Sequence, residues 1–272
     1  MPWRAEQQRP GLCLSVSPTH RLHSLFTCTD HSPSYQDVLN GGGIINYPVY
    51  SAFNETFVYN GYATMADLAY SIYLDRNNST DSTLHGTFTE NHDNPRIAWH
   101  NSDMTVAANA IGWTILTDGI PIIYQGQEQH LAGGDDPGCR EAMWLEENGS
   151  FNTSAPLHQT TKHMNQIRNW AMNQSATYTT TKNVVLNYSD TQISMRKDIV
   201  RTILTYAGVD QASGTYTTMD GGFPAGATVV DLIGCKTYTA TGAGEVTVDV
   251  GGGAMVVMMN AKFLGGSGMC GY

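Results

Sequence analysis

The stretch GTFTENHDNPR, residues 86–96, places acidic, imidazole and guanidinium side chains directly after a run of strand-forming residues. Its polar members are Glu90, His92, Asp93 and Arg96. Such side chains at the end of a buried strand can bind a polar ligand or take part in catalysis, because ligand-binding groups collect at the carboxyl ends of parallel strands. Asp93-Asn94-Pro95 fits a simple turn equally well, since Asp and Asn before Pro favour one.

A second polar cluster follows the apolar run at 120–124, in the same sense as the first. It contains Gln127, Glu128, His130, Asp135, Asp136 and Arg140. Two successive strands with polar side chains at their ends predict one shared rim. The alternatives are a turn at 135–138 and a solvated ion pair between Arg140 and Glu141.

The two clusters need strands and helices to position them. The sequence predicts short apolar strands alternating with helices whose apolar residues follow helical spacing. They are a strand at 44–49, a helix at 64–77, a strand at 83–89, a helix at 104–116 capped by Asp103, a strand at 119–124 buried on both faces, and a helix at 157–174 capped by Ser154. This alternation is typical of β/α units around a parallel sheet.

The pattern changes near Tyr178 to short runs rich in Val, Ile, Thr and Tyr, separated by Gly or Asp turns. The runs are VVLNYSD, QISMRKD, VRTILTYAG, ATVVDLIG, KTYTAT, GEVTVDV and AMVVMMN. They predict an antiparallel β-sandwich with no helix of its own. We therefore predict an atypical, disordered segment at 1–34, a β/α part at 35–176 and a β-sandwich domain at 177–272.

Composition narrows the class of partner. The chain has 272 residues, a net charge of −10 and only 14% charged residues, so it offers no positive field to gather the phosphates of a nucleic acid. A neutral substrate fits better. No apolar run approaches the roughly 20 residues of a membrane helix, which predicts no membrane partner.

Evidence on the cellular compartment points in two directions. N-glycosylation sequons begin at Asn54, Asn77, Asn78, Asn148, Asn152, Asn173 and Asn187, a density that suits the secretory pathway. Residues 1–30, however, contain no continuous apolar segment of the kind that a signal peptide requires. The five cysteines include no C-x-x-C pair, and one must stay unpaired within the chain.

Three segments together resemble the fungal-type α-amylases: ENHDNPR, LNGGGIINYPVY and IPIIYQGQEQHLAGGDDPGCREAMWL. The resemblance runs from about Tyr35 to Cys270. Members of this family are retaining glycoside hydrolases with a (β/α)8 barrel followed by a β-sandwich. The resemblance implies a partial TIM barrel, about its last three β/α units, followed by the complete antiparallel β-sandwich domain.

The resemblance also implies roles for individual residues. Asp93 corresponds to the carboxylate that stabilises the oxocarbenium-like transition state, and His92 would hydrogen-bond the sugar hydroxyls. Asp136 and Arg140 correspond to residues that bind neighbouring glucose units, and Tyr124 would pack against the sugar. Cys235 and Cys270 match the family's disulfide in the β-domain.

The remaining catalytic groups of the family are not recognisable in this sequence. A retaining glycosidase needs a nucleophile and a general acid about 5 to 5.5 Å apart, and the family carries them in D-G-x-R-x-D and G-E-V strands before the segment that begins at Tyr35. Asp118-Gly119 starts like the first pattern but lies in the last barrel strand. Gly244-Glu245-Val246 matches the second pattern but lies in a predicted strand of the β-domain.

Metal ligands are likewise not assigned. Calcium is bound in the family, but its ligands also precede Tyr35. A metal site among His92, Asp93, Glu128 and His130 lacks a supporting spacing such as H-E-x-x-H, so sugar-facing polar groups are the favoured interpretation.

We therefore predict the C-terminal portion of a secreted, monomeric α-amylase that acts on α-1,4-glucans such as starch and maltooligosaccharides. As an isolated chain it is expected to be inactive and poorly stable, because a partial barrel exposes strand edges and apolar faces. Two alternatives stay open. The chain is a non-catalytic starch-binding remnant, or it is an active hydrolase that recruits Asp30 or Glu128 as a substitute carboxylate.

Overall fold

The computed structural model describes residues 42–59, 62–145 and 151–272. The segment predicted to be disordered, 1–34, lies outside these ranges, as do Asp30, Cys13 and Cys28. Within them, a β/α part is followed by a part built from antiparallel strands. None of the described helices has both the length and the apolar character that crossing a bilayer would need.

Three parallel chain segments lie side by side in the β/α part. Strand β1 (Gly86–Thr87) pairs in parallel with β2 (Ile120–Pro121), and Ile45 forms a parallel bridge to Gly86. The backbone N–H of Gly86 donates to the carbonyl of Ile44 at 2.8 Å. This order, with helices between the segments, is what three successive β/α units of a barrel produce.

Helix α1 spans Tyr47–Phe57, where the sequence predicts a strand at 44–49. Pro48 bears on this difference, because a proline cannot donate to a strand ladder. In the structure Pro48 lies in the first turn of the helix, where a missing N–H leaves no hydrogen bond unmade. The side chain of Asn46 caps the helix by accepting from the N–H of Val49. Only Ile45 keeps the predicted parallel pairing.

Three further helices in the described ranges lie close to their predicted positions. They are α2 (Met65–Asn78), α4 (Met104–Leu116) and α5 (Pro156–Gln174). The short helix α3 (Ile97–His100) was not predicted. Thr64 and Asp67 form a capping box at the start of α2, and Asp103 caps α4 as predicted. The predicted Ser154 cap is wrong, because the N-cap of α5 is Ala155 and it makes no side-chain hydrogen bond.

The strand predicted at 119–124 is shorter and more exposed than the sequence suggests. β2 contains two residues, and Ile120 is 58% exposed while Ile122 is 37% exposed. In the described part of the chain β2 pairs with β1 alone. A strand is buried on both faces only when strands and helices cover it on each side, and the described residues cover one side.

The antiparallel part begins after α5 and contains two sheets. Its strands are β3 (Val184–Tyr188), β4 (Gln192–Lys197), β5 (Val200–Thr205), β6 (Gly214–Thr218), β7 (Thr228–Asp231), β8 (Thr237–Thr239), β9 (Val246–Val250) and β10 (Val256–Asn260). The larger sheet has the order β3-β4-β5-β10-β7-β8, and β6 pairs with β9 in the smaller one. Residues 177–272 contain no α-helix, as predicted.

Every predicted strand run of the antiparallel part contains an observed strand, and only β6 was not predicted. Its sequence is GTYTT, in which Tyr216 is the one large apolar residue. Cys235 and Cys270 form a disulfide with Cα atoms 5.1 Å apart, which agrees with the pairing that the resemblance implies. Cys139 is buried and free.

The two parts share one hydrophobic core and several buried polar contacts. Asp118, just before β2, accepts from the Lys197 ammonium at 2.7 Å and from the N–H of Asn183 at 2.8 Å. Lys197 is almost fully buried, so this ion pair is shielded from solvent. On α4, Asn109 donates to the carbonyl of Gly253 and accepts from the N–H of Thr205.

Candidate functional site

The loop after β1 separates its charged residues into a buried group and an exposed group. Arg96 is completely buried. Its guanidinium donates to Glu90 at 3.1 Å, to the carbonyl of Gln125 at 3.0 Å, and to Glu141, and it lies over the Tyr124 ring at 4.6 Å. Arg96 therefore holds the loop after β1 against the loop after β2.

Glu90 points into the protein rather than toward the rim. It is 5% exposed, and its carboxylate accepts from Arg96 and from the N–H of Ile97 at 3.1 Å. Burial raises the pKa of Glu90 to about 7, although the nearby Arg96 charge opposes the shift. Of the four polar residues in the first sequence cluster, two thus form a buried support, and His92 and Asp93 remain at the surface.

The exposed group is organised by Arg140. Its Nε donates to the carbonyl of His92 at 2.9 Å and lies 2.8 Å from an Asp136 carboxylate oxygen, while Nη2 lies 3.4 Å from Asp93 Oδ1. The His92 ring lies beside the same oxygen of Asp93, with Nε2 at 3.3 Å. We call His92, Asp93, Asp136 and Arg140 the rim cluster. All four side chains are about half exposed or more, so a ligand from solvent can reach them.

Asn91 positions Asp93 and was not singled out from the sequence. Its side-chain oxygen accepts from the N–H groups of Asp93 and Asn94, each at 3.0 Å, and its amide donates to the Tyr47 hydroxyl at 3.2 Å. Burial raises the pKa of Tyr47, and the Asp93 charge adds to the shift. The sequence contained a signal for this role, since Asn side chains in turns commonly accept from the backbone N–H two residues on.

Tyr124 and Cys139 lie beneath the rim cluster. The Tyr124 hydroxyl donates to the Cys139 carbonyl at 3.3 Å, and the Cys139 sulfur lies 3.1 Å from the His92 carbonyl. Tyr124 is half-buried and packs against Arg96, so its direct contacts are with the support of the cluster. Tyr124 therefore lies beneath the rim cluster, whereas the resemblance implies that it packs against the sugar.

The remaining acidic candidates lie apart from the rim cluster. Glu128 accepts from the N–H of Gly126 at 3.0 Å, within its own turn. Asp118 precedes β2, whereas His92 and Asp93 follow β1, so they belong to opposite ends of the parallel strands. Glu245 lies in the turn before β9, in the antiparallel part. The structure thus brings together the residues of the two sequence clusters that the resemblance marked.

No metal centre accompanies the rim cluster in the described ranges. No group of three or more His, Cys, Asp or Glu side chains there could hold a metal ion. His130, a member of the metal alternative, adopts a left-handed backbone with φ of 60°. Its Nε2 is buried without a partner, and burial lowers its pKa.

Two families match the chain. The family described as "Alpha amylase, catalytic domain" matches residues 28–207, and "Alpha-amylase, domain C" matches residues 185–272. The first covers the β/α part and both sequence clusters, and the second covers the antiparallel strands. The chain therefore belongs to the α-amylase family, and its β/α part is a portion of a TIM barrel.

Individual relatives agree with this assignment. "Alpha-amylase 1" of Schwanniomyces occidentalis is 36% identical over 250 residues, covering 90% of this chain and 46% of the relative. "Alpha-amylase" of Saccharomycopsis fibuligera is 32% identical over 249 residues, covering 92% and 48%. The solved structure of an α-amylase from Malbranchea cinnamomea superposes with a TM-score of 0.84 at 36% identity, covering 90% and 51%. The chain spans about half the length of each.

Proposed function

We propose that this chain supplies the glucan-binding rim and the third carboxylate of an α-amylase that hydrolyses α-1,4-glucans by a retaining mechanism. The observation that carries the proposal is the rim cluster, in which Arg140 draws His92, Asp93 and Asp136 together at the end of parallel strands. Half-exposed hydrogen-bonding groups without a large positive field suit a neutral sugar.

Each member of the rim cluster has a role consistent with its contacts. The Asp93 carboxylate is held between His92 and Arg140, where its negative charge would stabilise positive charge developing on a sugar ring. His92 keeps an exposed imidazole for sugar hydroxyls. Asp136 and Arg140, joined at 2.8 Å, present an acceptor and a donor to the next glucose unit.

The chemistry needs more than this cluster. A retaining mechanism requires a nucleophile and a general acid about 5 to 5.5 Å apart. Among the described residues, Glu90 is tied to Arg96 inside the protein and Glu128 is tied to its own turn, so neither fits these roles. We therefore expect the 272-residue chain by itself to release no reducing sugar from starch. Release of reducing sugar by the purified chain would contradict this.

The catalytic role of Asp93 is testable in a chimera. Residues 35–272 would replace the matching portion of the α-amylase 1 of Schwanniomyces occidentalis, and starch hydrolysis would be measured as reducing ends released. We expect Asp93→Asn to lower kcat at least about a hundredfold with little change in KM, since its charge acts mainly in the transition state. Asp249→Asn is the matched control, because Asp249 is also an exposed, ion-paired aspartate but lies on β9.

A non-catalytic glucan-binding role is the second candidate, and the same rim cluster favours it. Binding of maltoheptaose to the purified chain, measured by calorimetry, tests both functions at once. We expect Asp136→Ala and Arg140→Ala each to weaken binding by about tenfold, through lost charge-assisted hydrogen bonds. Lys236→Ala, which removes an exposed ion pair with Asp249 in the antiparallel part, is expected to bind normally. Equal binding by all variants would remove the rim cluster from the proposal.

We further propose a secreted, monomeric protein. Disulfides persist in oxidising compartments, and the Cys235–Cys270 bridge fits one. Asn77, Asn78, Asn152 and Asn173 begin sequons and are exposed. The buried Asn54 is an exception, since its side-chain amide donates to backbone carbonyls. Glycopeptide mapping after expression in a secreting host is expected to find glycans at exposed sequons and none at Asn54.

Calcium is bound by members of the family, but we assign it no ligand among the residues of this chain.

A further inference from the structure

Trp99 is a large aromatic side chain left at the surface beside the rim cluster. It belongs to the short helix α3, whose other apolar residues, Ile97 and Ala98, are buried, while Trp99 is 60% exposed. Its backbone is fixed, because its N–H donates to the Arg96 carbonyl at 3.1 Å. The indole is therefore presented to solvent from the same loop that carries His92 and Asp93.

The indole packs against the loop that carries the other half of the rim cluster. A Cβ added to Gly134 would lie 3.1 Å from two indole carbons, so the glycine backbone lies directly against the ring system. The neighbouring Gly133 carbonyl accepts from the N–H of Arg96 at 3.0 Å. These contacts hold Trp99 and the loop after β2 in one fixed arrangement, which reduces the ordering cost of binding a ligand there.

The position of Gly134 connects the indole to the proposed sugar site. Asp136 follows two residues later, so its Cα is at most about 7.6 Å from that of Gly134. The Asp135 carboxylate between them is close enough to His100, the neighbour of Trp99, to counteract the lowering of the His100 pKa by burial. The indole thus lies against the start of the loop segment that carries Asp135 and Asp136.

We propose that Trp99 forms an additional glucan subsite, where its indole stacks on the apolar face of a glucose unit next to the one held by Asp136 and Arg140. This inference rests on the proposed glucan-binding function. A pyranose ring has a C–H face that packs on an aromatic surface, while its hydroxyls point outward to polar groups such as Asp135 and Asp136. The subsite is filled only by a chain long enough to extend past the rim cluster.

Binding as a function of chain length tests the subsite. Calorimetric titrations of the purified chain with maltotriose and with maltoheptaose would be compared for wild type, Trp99→Ala and Trp99→Phe. We expect Trp99→Ala to weaken maltoheptaose binding by about tenfold and maltotriose binding by less than about twofold, with Trp99→Phe between wild type and Trp99→Ala for maltoheptaose. Wild-type indole fluorescence is expected to change with maltoheptaose only.

Tyr73→Ala provides the matched control, because Tyr73 is an equally exposed aromatic residue, at 60%, on α2. It is expected to bind both oligosaccharides as wild type does. If Trp99→Ala binds maltoheptaose normally, or loses both ligands equally, the subsite is refuted and the indole only covers Gly134. If wild type binds neither oligosaccharide, the proposed function itself fails. Thermal unfolding of Trp99→Ala separates loss of the subsite from loss of the fold.

Discussion

Two arginines, Arg96 and Arg140, pair with acidic residues in neighbouring loops but in opposite environments. Arg96 is fully buried and its guanidinium donates to Glu90, Glu141 and a carbonyl. Arg140 is half exposed and its pairs with Asp93 and Asp136 remain open to solvent. The buried arginine therefore stabilises the fold, whereas the exposed arginine is available to bind a ligand. A buried pair is costly to break, whereas an exposed pair contributes little to stability and can exchange partners with a ligand.

Removing the buried arginine is expected to have the largest effect on stability. Arg96→Ala leaves Glu90 buried without its partner and releases the loop after β2, so the free energy of unfolding should fall by about 3 to 5 kcal/mol. Urea denaturation followed by far-ultraviolet circular dichroism measures it. A loss below about 1 kcal/mol would mean that the buried group is no more important than the exposed one.

The pH dependence of stability gives the next largest effect. Burial raises the pKa of Glu90 from 4.5 to about 7, so the folded chain holds this proton more tightly than the unfolded chain. The resulting stabilisation is present below about pH 4.5 and is lost as the pH rises through about 7. Relative to Glu90→Gln, the free energy of unfolding of wild type should fall by on the order of 3 kcal/mol between these two pH values.

Urea titrations of wild type and Glu90→Gln at a series of pH values check this expectation. Glu245→Gln, which changes a carboxyl in the turn before β9, is the matched control and should keep the wild-type slope. Parallel profiles for wild type and Glu90→Gln would show that the Arg96 pairing cancels the effect of burial on the pKa of Glu90.

Asn91 is partly buried, and removing its side chain should lower the free energy of unfolding by an intermediate amount. Asn91→Ala removes the acceptor for the Asp93 and Asn94 N–H groups and the donor to Tyr47, which should cost about 1 kcal/mol of unfolding free energy. Asn91→Asp keeps the acceptor and should retain most of that stability. If the two variants are equally destabilised, the backbone bonds of Asn91 do not organise the loop.

The exposed arginine should affect stability least. Arg140→Ala is expected to change the free energy of unfolding by less than about 1 kcal/mol while weakening maltoheptaose binding as proposed above. Thermal unfolding of the variant without and with maltoheptaose measures both quantities. A destabilisation comparable to that of Arg96→Ala would remove the contrast between the two arginines.

The sequence predicted the antiparallel part better than the β/α part, for a physical reason. Short runs rich in Val, Ile, Thr and Tyr between Gly or Asp turns favour strands locally, and the predicted runs from VVLNYSD to AMVVMMN all contain strands. The parallel strands carry short apolar runs whose burial depends on what lies beside them. Ile120 is exposed for this reason, and Pro48 was assigned to a strand although it fits the first turn of a helix.

The sequence indicated which residues form the rim cluster but not how their side chains are arranged. Motif resemblance marked His92, Asp93, Asp136 and Arg140, and the structure brings them together. Residue types alone did not indicate that Glu90 turns inward while Asp93 turns outward, because that depends on the path of the loop. Tyr124 shows the same limit, since its place beneath the cluster follows from its packing against Arg96.

The polar contacts of helix α4 also have a consequence for the timing of folding during synthesis. The Asn109 side chain bonds Thr205, 96 residues later, and Gly253, 144 residues later. Within α4 the Asn109 amide has one local partner, the Thr105 carbonyl at 2.8 Å, but on the ribosome α4 emerges well before the two distant ones. Its final packing must wait until residue 253 has been made, and part of its apolar surface stays uncovered until then.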